Sequence, residues 1–176
     1  MKLILTSLAI MAGVALCLGQ KGNTFPGIET EKLDGSTVRF PGHVSGGFAL
    51  VGIGMSKKAE EELRTWQTPV YNKFVAKTGL MDDMYDVDIA FMPIFTGASK
   101  VAKNKVVKKL QENNESLVYN YLYIYSGARE PFYDLGIDSK KEPFFLLLNA
   151  ESEVVWFATG KFRRLYFEEI EGILTQ

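Results

Sequence analysis

The stretch FALVGIGMSKKAEEELRTWQTPVYNKF, residues 48–74, passes from an apolar run into an amphipathic pattern. Residues 48–53 have the length and the β-branched content of a buried strand. Ser56 is placed to cap a helix, and the apolar residues after it recur at helical spacing: Ala59, Leu63, Trp66, Val70 and Phe74. The stretch therefore predicts a strand that leads directly into a helix. Open α/β sheets usually hold their functional groups at such a junction.

Composition limits the classes of function. The chain has 176 residues, 47% of them hydrophobic, which is enough for one domain with a substantial core. The formal net charge of −1 gives the whole chain no attraction for nucleic acid or for an anionic membrane. We expect no nucleic-acid partner, no cofactor and no metal.

The first nineteen residues have the layout of a secretory signal peptide. One Lys precedes the apolar run of residues 3–18, and small and polar residues follow it. We expect cleavage after Gly19, export to the periplasm or the extracellular space, and a mature domain of residues 20–176. Two alternatives stay open: the leader is retained as an anchor, or Cys17 is lipidated, because residues 14–17 resemble a lipoprotein signal in which Leu16 is atypical.

Cysteine usage has a direct chemical consequence. Cys17 is the only cysteine of the sequence. Cleavage after it leaves a mature chain with no disulfide, no thiolate nucleophile and no cysteine-ligated metal.

The remaining pattern predicts alternating strands and helices. A Gly- and Pro-rich region, residues 22–47, carries a hairpin signal around Asp34-Gly35. The later predicted elements are a strand over 86–95, a helix over 99–113, a strand over 117–125 with four tyrosines on one face, a helical connector over 131–137, a strand pair over 142–149 and 154–158, and a helix over 163–175.

This order, together with several short motifs, resembles secreted thioredoxin-like proteins of the TlpA and peroxiredoxin type. The motifs are YDLGI (133–137), Glu142-Pro143 before FFLLLN, EVVW (153–156) followed by Gly160, and Pro69 inside the first long helix. The resemblance implies an α/β fold: a thioredoxin-like three-layer sandwich with a central mixed sheet and an N-terminal β-hairpin. It also implies a cis Glu142–Pro143 peptide bond. A weaker similarity, through VVW, Gly160 and Trp66, is to thioredoxin-like assembly factors of the mitochondrial ATP synthase.

The chain departs from these families at the start of the first long helix. They carry Cys-x-x-Cys there, whereas this chain has Ser56-Lys57-Lys58-Ala59. A serine cannot replace the thiol, because disulfide exchange needs a thiolate nucleophile and a sulfur leaving group. We therefore expect no thiol-disulfide oxidoreductase or peroxidase activity.

The sequence favours a redox-inactive, non-catalytic binding or assembly protein of the cell envelope, with a protein or peptide segment as partner. The candidate partner-binding residues are Ser56, Lys57, Lys58, Glu142 and Pro143, which the resemblance implies lie together. Membrane contact is expected only through a retained leader or a lipidated Cys17.

Two other functions stay open at this stage. One is a thiol-independent enzyme on the same scaffold, with Lys57, Lys58, Glu60, Glu61 or Glu142 as acid and base. The other is a structural envelope protein tethered through Cys17. No catalytic residue is assigned.

Overall fold

The computed structural model describes residues 21–42, 47–112 and 119–176. The predicted leader and Cys17 lie outside these ranges. The strands are β1 (Ile28–Glu31), β2 (Thr37–Phe40), β3 (Phe48–Gly54), β4 (Val87–Pro93), β5 (Phe144–Asn149) and β6 (Val154–Thr159), and the helices are α1 (Lys57–Val70), α2 (Lys103–Glu112) and α3 (Arg164–Leu174).

A mixed sheet with the order β4-β3-β5-β6 forms the centre of the domain. β3 pairs in parallel with β4 and antiparallel with β5, and β5 pairs antiparallel with β6. β1 and β2 form a separate antiparallel hairpin, whose turn contains Gly35 at a φ of 86°. The predicted α/β class, the central mixed sheet and the N-terminal hairpin are confirmed.

Alternation along the strands divides the core between the two faces of the sheet. Phe145 and Leu147 of β5 join the apolar cluster that receives side chains from α1, α2 and α3. Phe144, Leu146 and Leu148 join the cluster that the N-terminal hairpin and residues 132–137 cover. This period of two is what a strand buried on both faces requires.

The first long helix changes its geometry near its end. The predicted helix continues to Phe74, but after α1 the residues Tyr71–Val75 form a π-helix. Pro69 lies inside α1 and has no N–H to donate to the preceding turn. The Tyr71 N–H, at the junction, is shared between the Gln67 and Thr68 carbonyls.

The second predicted helix is also divided. Residues Gly97–Ala102 form a 3₁₀-helix, and the α-helix begins only at Lys103. At the start of the 3₁₀ segment the Thr96 N–H donates to Ser99 Oγ at 2.9 Å. No residue of α2 is fully buried, and its apolar side chains Val106, Val107 and Leu110 cover the edge of the core.

The predicted tyrosine strand over 117–125 is wrong over its described first part, because Tyr119–Tyr121 form a 3₁₀-helix. Extended pairing in the described part consists of isolated bridges. Two lie beside β4, between Leu122 and Phe91 and between Tyr125 and Ile94, and one joins Ile124 to Glu31 of β1. The change of backbone geometry separates the four rings. Tyr119 and Tyr121 pack on the cluster beneath the helices, whereas Tyr123 and Tyr125 pack on the opposite cluster.

The prediction of a cis Glu142–Pro143 bond is also wrong. Among the described residues the cis peptide bond is Phe40–Pro41. Glu142–Pro143 is trans, the isomer that most X–Pro bonds adopt in folded proteins, and sequence resemblance alone did not determine it. Pro143 is buried, and its carbonyl accepts a hydrogen bond from the Gly160 N–H at 3.1 Å.

Candidate functional site

The start of α1 follows directly from the end of β3. Gly54 ends the strand, and Ser56 has an extended backbone with φ −153° and ψ 165°. The Ser56 hydroxyl accepts a hydrogen bond from the Ala59 N–H at 3.1 Å. This is the N-cap that the sequence predicts, and it satisfies one of the backbone donors left free at a helix start.

The loop before β5 lies against this helix start. Ser56 Oγ donates a hydrogen bond to the Lys140 carbonyl at 2.5 Å. The contact follows from the sheet topology, because Ile53 at the end of β3 pairs with Phe144 at the start of antiparallel β5. Residues that follow β3 and residues that precede β5 must therefore meet at one end of the sheet. We call this end, with residues 56–58, 138–143 and 160–164, the basic end.

The predicted site residues differ in their exposure. Lys57 and Lys58 are exposed, with 90% of the Lys57 side chain accessible. Glu142 is half-buried, Pro143 is buried, and among the described residues no hydrogen bond engages Glu142. The structure thus brings the helix start and the Glu142–Pro143 loop together. Pro143 itself is buried and does not contribute to the exposed surface.

A third segment, which is not among the predicted site residues, lies at the same end of the sheet. The turn after β6 is fixed by Trp66, whose Nε1 donates to the Gly160 carbonyl at 2.9 Å. The Phe162 N–H donates to Thr65 Oγ1 at 2.9 Å. The exposed side chains that this segment adds are Lys161, Arg163 and Arg164. The basic run KFRR, residues 161–164, follows a predicted strand, and this pattern could have indicated that the segment belongs to the site.

Positive charge dominates the basic end. The exposed cations come from three separate segments of the chain: Lys57, Lys58, Lys140, Lys141, Lys161, Arg163 and Arg164. Within the described residues, Lys57 has a weak pairing with Glu61 at 4.0 Å, and no ion pair engages the other six. Because these groups lie at the same end of the sheet as the free N–H groups of the α1 start, the surface suits an anionic ligand group.

Two acidic residues of the first turns of α1 pair locally. Glu60 accepts from Arg64 at 2.7 Å in an i,i+4 pair, and Glu61 lies near Lys57. Ser56 is a capping residue whose hydroxyl donates to a backbone carbonyl rather than to a base. In the part of the chain that the structure describes, no group of three acidic, His or Cys side chains is arranged to hold a metal ion.

Comparison with solved structures identifies the class of fold. The chain has a thioredoxin-like fold. A protein proposed to be a disulfide isomerase from Bacteroides thetaiotaomicron superposes with a TM-score of 0.57 at 14% identity, over 91% of this chain and 93% of that one. The exposed lipoprotein thioredoxin Etrx1 of Streptococcus pneumoniae gives 0.55 at 14% identity, over 85% and 100% of the two chains.

A third structure, proposed to be the thiol:disulfide interchange protein DsbE of Chlorobium tepidum, gives a TM-score of 0.53 at 14% identity, over 86% and 93% of the two chains. No protein-family model matches the sequence, and no curated protein does. The named neighbours are thiol-disulfide enzymes, whereas this sequence has a single cysteine and cannot form a two-cysteine motif.

Proposed function

We propose that this protein is an exported, redox-inactive thioredoxin-like binding or assembly protein, whose basic end holds an acidic segment of a protein partner. The observation that carries the proposal is that three basic segments share the end of the sheet that holds the capped start of α1. The Ser56–Lys140 hydrogen bond fixes one loop at the helix start, and the Trp66–Gly160 bond fixes the other against the middle of α1. A surface ordered before binding loses less conformational entropy when a partner docks.

Export is supported by the leader pattern of residues 1–19 and by the exposed lipoprotein among the structural neighbours. In the described part of the chain, no helix is long and apolar enough to cross a membrane.

Electrostatics defines the partner in this proposal. An acidic side chain or a C-terminal carboxylate would accept hydrogen bonds from the free N–H groups of the α1 start, with Lys57 and Lys58 beside it. The Pro143 carbonyl already accepts from the Gly160 N–H, so an extended segment would pair with the backbone of Glu142 instead.

The test is charge reversal at two matched sites. The K57E/K58E variant should lose capture of partners from an envelope extract and lose binding of an Asp- and Glu-rich peptide. The K105E/K108E variant reverses two exposed lysines of α2 and should keep both. Circular dichroism and thermal melts verify that both variants fold. We expect both to be folded, because exposed substitutions usually change stability by less than about 0.5 kcal/mol. Loss of capture with K105E/K108E alone would reject the basic end as the site.

A further inference from the structure

The loop between the π-helix and β4 displays apolar side chains to solvent. Leu80 is 98% exposed, Met84 64% and Met81 54%. Of the large apolar side chains that are exposed in the described residues, three thus fall within five positions of one loop. We call Leu80, Met81 and Met84 the apolar loop. Exposed apolar groups clustered in this way mark contact sites more often than single ones do.

Ion pairs hold this loop in place. The buried carboxylate of Asp82 accepts from the Gly79 N–H at 2.7 Å and pairs with Lys73 Nζ at 2.7 Å. Lys73 also pairs with Glu171 of α3. The three apolar side chains are therefore displayed by an anchored turn, and the polar group of that turn is the one directed inward.

The apolar loop lies at the end of the sheet where the chain enters the domain. Val87, the first residue of β4, pairs with Phe48 of β3, which in turn pairs with Asn149 at the end of β5. The Gly22 N–H donates to the Val154 carbonyl at the start of β6. Three interstrand spacings, about 15 Å in total, separate β4 from β6 across this end.

The sequence immediately before this entry point is strongly apolar. Residues 3–18 form an uncharged run, and Cys17 lies within it. Either a retained run or a lipid on Cys17 would hold this end of the domain at a membrane. The few residues between this run and Gly22 would then act as a short tether and keep the apolar loop at high effective concentration beside the bilayer. Under that condition three apolar side chains would be enough to orient the domain.

We infer that the apolar loop inserts into the interface of a lipid bilayer and holds the domain end-on against it. This inference rests on the export in the proposed function and on the alternatives to cleavage after Gly19, a retained leader or a lipidated Cys17. Exposed Asp83 and Asp86 adjoin the loop. The half-buried cations near it are Lys77 and Lys73, and Lys73 is paired with Asp82 and Glu171. The local charge therefore fits zwitterionic lipids better than anionic ones.

The topology gives this orientation a functional consequence. β3 runs from Phe48 at the apolar-loop end to Gly54 at the basic end. A domain seated on the apolar loop directs Lys57 and Lys58 away from the membrane, where an acidic partner can reach them.

Depth-dependent fluorescence quenching tests the inference. The full 176-residue chain, produced without export so that residues 1–19 remain, is reconstituted into phosphatidylcholine vesicles that contain spin-labelled acyl chains. Both native tryptophans, Trp66 and Trp156, are buried. The tryptophan introduced in the M81W variant should add fluorescence. The spin-labelled lipids should quench this added fluorescence at least twofold more strongly than they quench the wild-type fluorescence.

Leu165 supplies the matched control. It is 49% exposed at the start of α3, and β6 places it at the opposite end of the sheet. The L165W variant should show wild-type quenching. Equal quenching of M81W and L165W, or wild-type quenching of M81W, would overturn the inference.

Two further variants separate this inference from the proposed function and from protein docking. K57E/K58E introduced into M81W should leave the quenching unchanged even where partner capture is lost. The triple variant L80S/M81S/M84S should retain partner capture. Loss of capture by the triple variant, with no quenching of M81W, would assign the apolar loop to a protein partner and overturn the membrane inference.

Discussion

The Trp66 indole links the first helix to the turn after the last strand, through a hydrogen bond of 2.9 Å from Nε1 to the Gly160 carbonyl. Its ring, fully buried, stacks on Phe145 with a centroid distance of 3.7 Å and on Tyr166 at 5.2 Å. One side chain therefore joins α1, β5 and α3. This arrangement fixes the turn that carries the third basic segment.

The W66F substitution removes this hydrogen bond and leaves a carbonyl of the turn without its donor. We expect a loss of about 1–3 kcal/mol in the free energy of unfolding, measured by chemical denaturation. W156F is the matched control, because Trp156 donates to the exposed carboxylate of Glu169, which water can solvate instead. A loss in W156F as large as in W66F would contradict the assignment.

Ser56 has two separable roles, as a helix cap and as a donor to the Lys140 carbonyl. S56A should lower stability by about 0.5–2 kcal/mol. S56D keeps a capping acceptor but cannot donate, so it should recover most of that stability. Hydrogen exchange in residues 138–143 should nonetheless remain faster than in wild type. Wild-type exchange there in S56D would show that the hydroxyl does not hold the loop.

Gly52 lies where two rings meet the sheet. A Cβ at this position would come within 2.6 Å of Phe145 Cε1 and 3.2 Å of Phe91 Cδ1. G52A should therefore cost about 1–3 kcal/mol through overpacking, as measured by denaturation.

G54A provides the comparison within the same strand. Its Cβ would meet Leu63 Cδ1 at 3.5 Å, an ordinary contact. We expect it to be neutral or to stabilise by about 0.4–1 kcal/mol, through the reduced freedom of the unfolded chain. Similar losses for G52A and G54A would exclude ring overlap as the cause.

The ion pairs beneath the apolar loop predict a dependence of stability on pH. The hydrogen bond from Lys73 lowers the pKa of Asp82 below its ordinary 3.8, and the Gly79 N–H acts in the same direction against burial. Asp82 therefore contributes stability above pH 3.8, and this contribution is lost as the pH falls through its lowered pKa.

The contribution of Lys73 to stability depends on pH in the opposite direction. Burial opposes its charge, but hydrogen bonds with Asp82 and Glu171 outweigh burial and raise its pKa above 10.5. Its contribution is complete below pH 10.5 and is lost as the pH rises through the raised pKa.

The difference in free energy of unfolding between wild type and D82N should be largest near neutral pH and should shrink below pH 3.8. A difference that stays constant from pH 7 to pH 3 would refute the pairing.

The thiol content of the exported protein is a separate prediction. If cleavage follows Gly19, the mature chain contains no cysteine. It should give no reaction with a thiol reagent and no reduction of insulin disulfides. Stoichiometric thiol labelling of the mature protein would place the cleavage before Cys17 or show that the leader is retained.

The amino-acid sequence by itself predicted the main elements of the fold, because local patterns carry that information. The continuous apolar run in FFLLLN and the apolar stripe through Trp66 predicted β5 and α1, and the Ser56 hydroxyl predicted the cap. The single cysteine by itself excludes a two-cysteine redox motif within this sequence.

Packing between distant segments determines which residues share a surface. The register of Ile53 with Phe144 places the Lys140 carbonyl at the Ser56 hydroxyl, and the Trp66–Gly160 bond adds Arg163 beside them. It also decided the trans state of Glu142–Pro143 and the separation of the four tyrosines. These outcomes depend on small differences in backbone free energy that packing between distant segments supplies, and no local pattern of side chains encodes them.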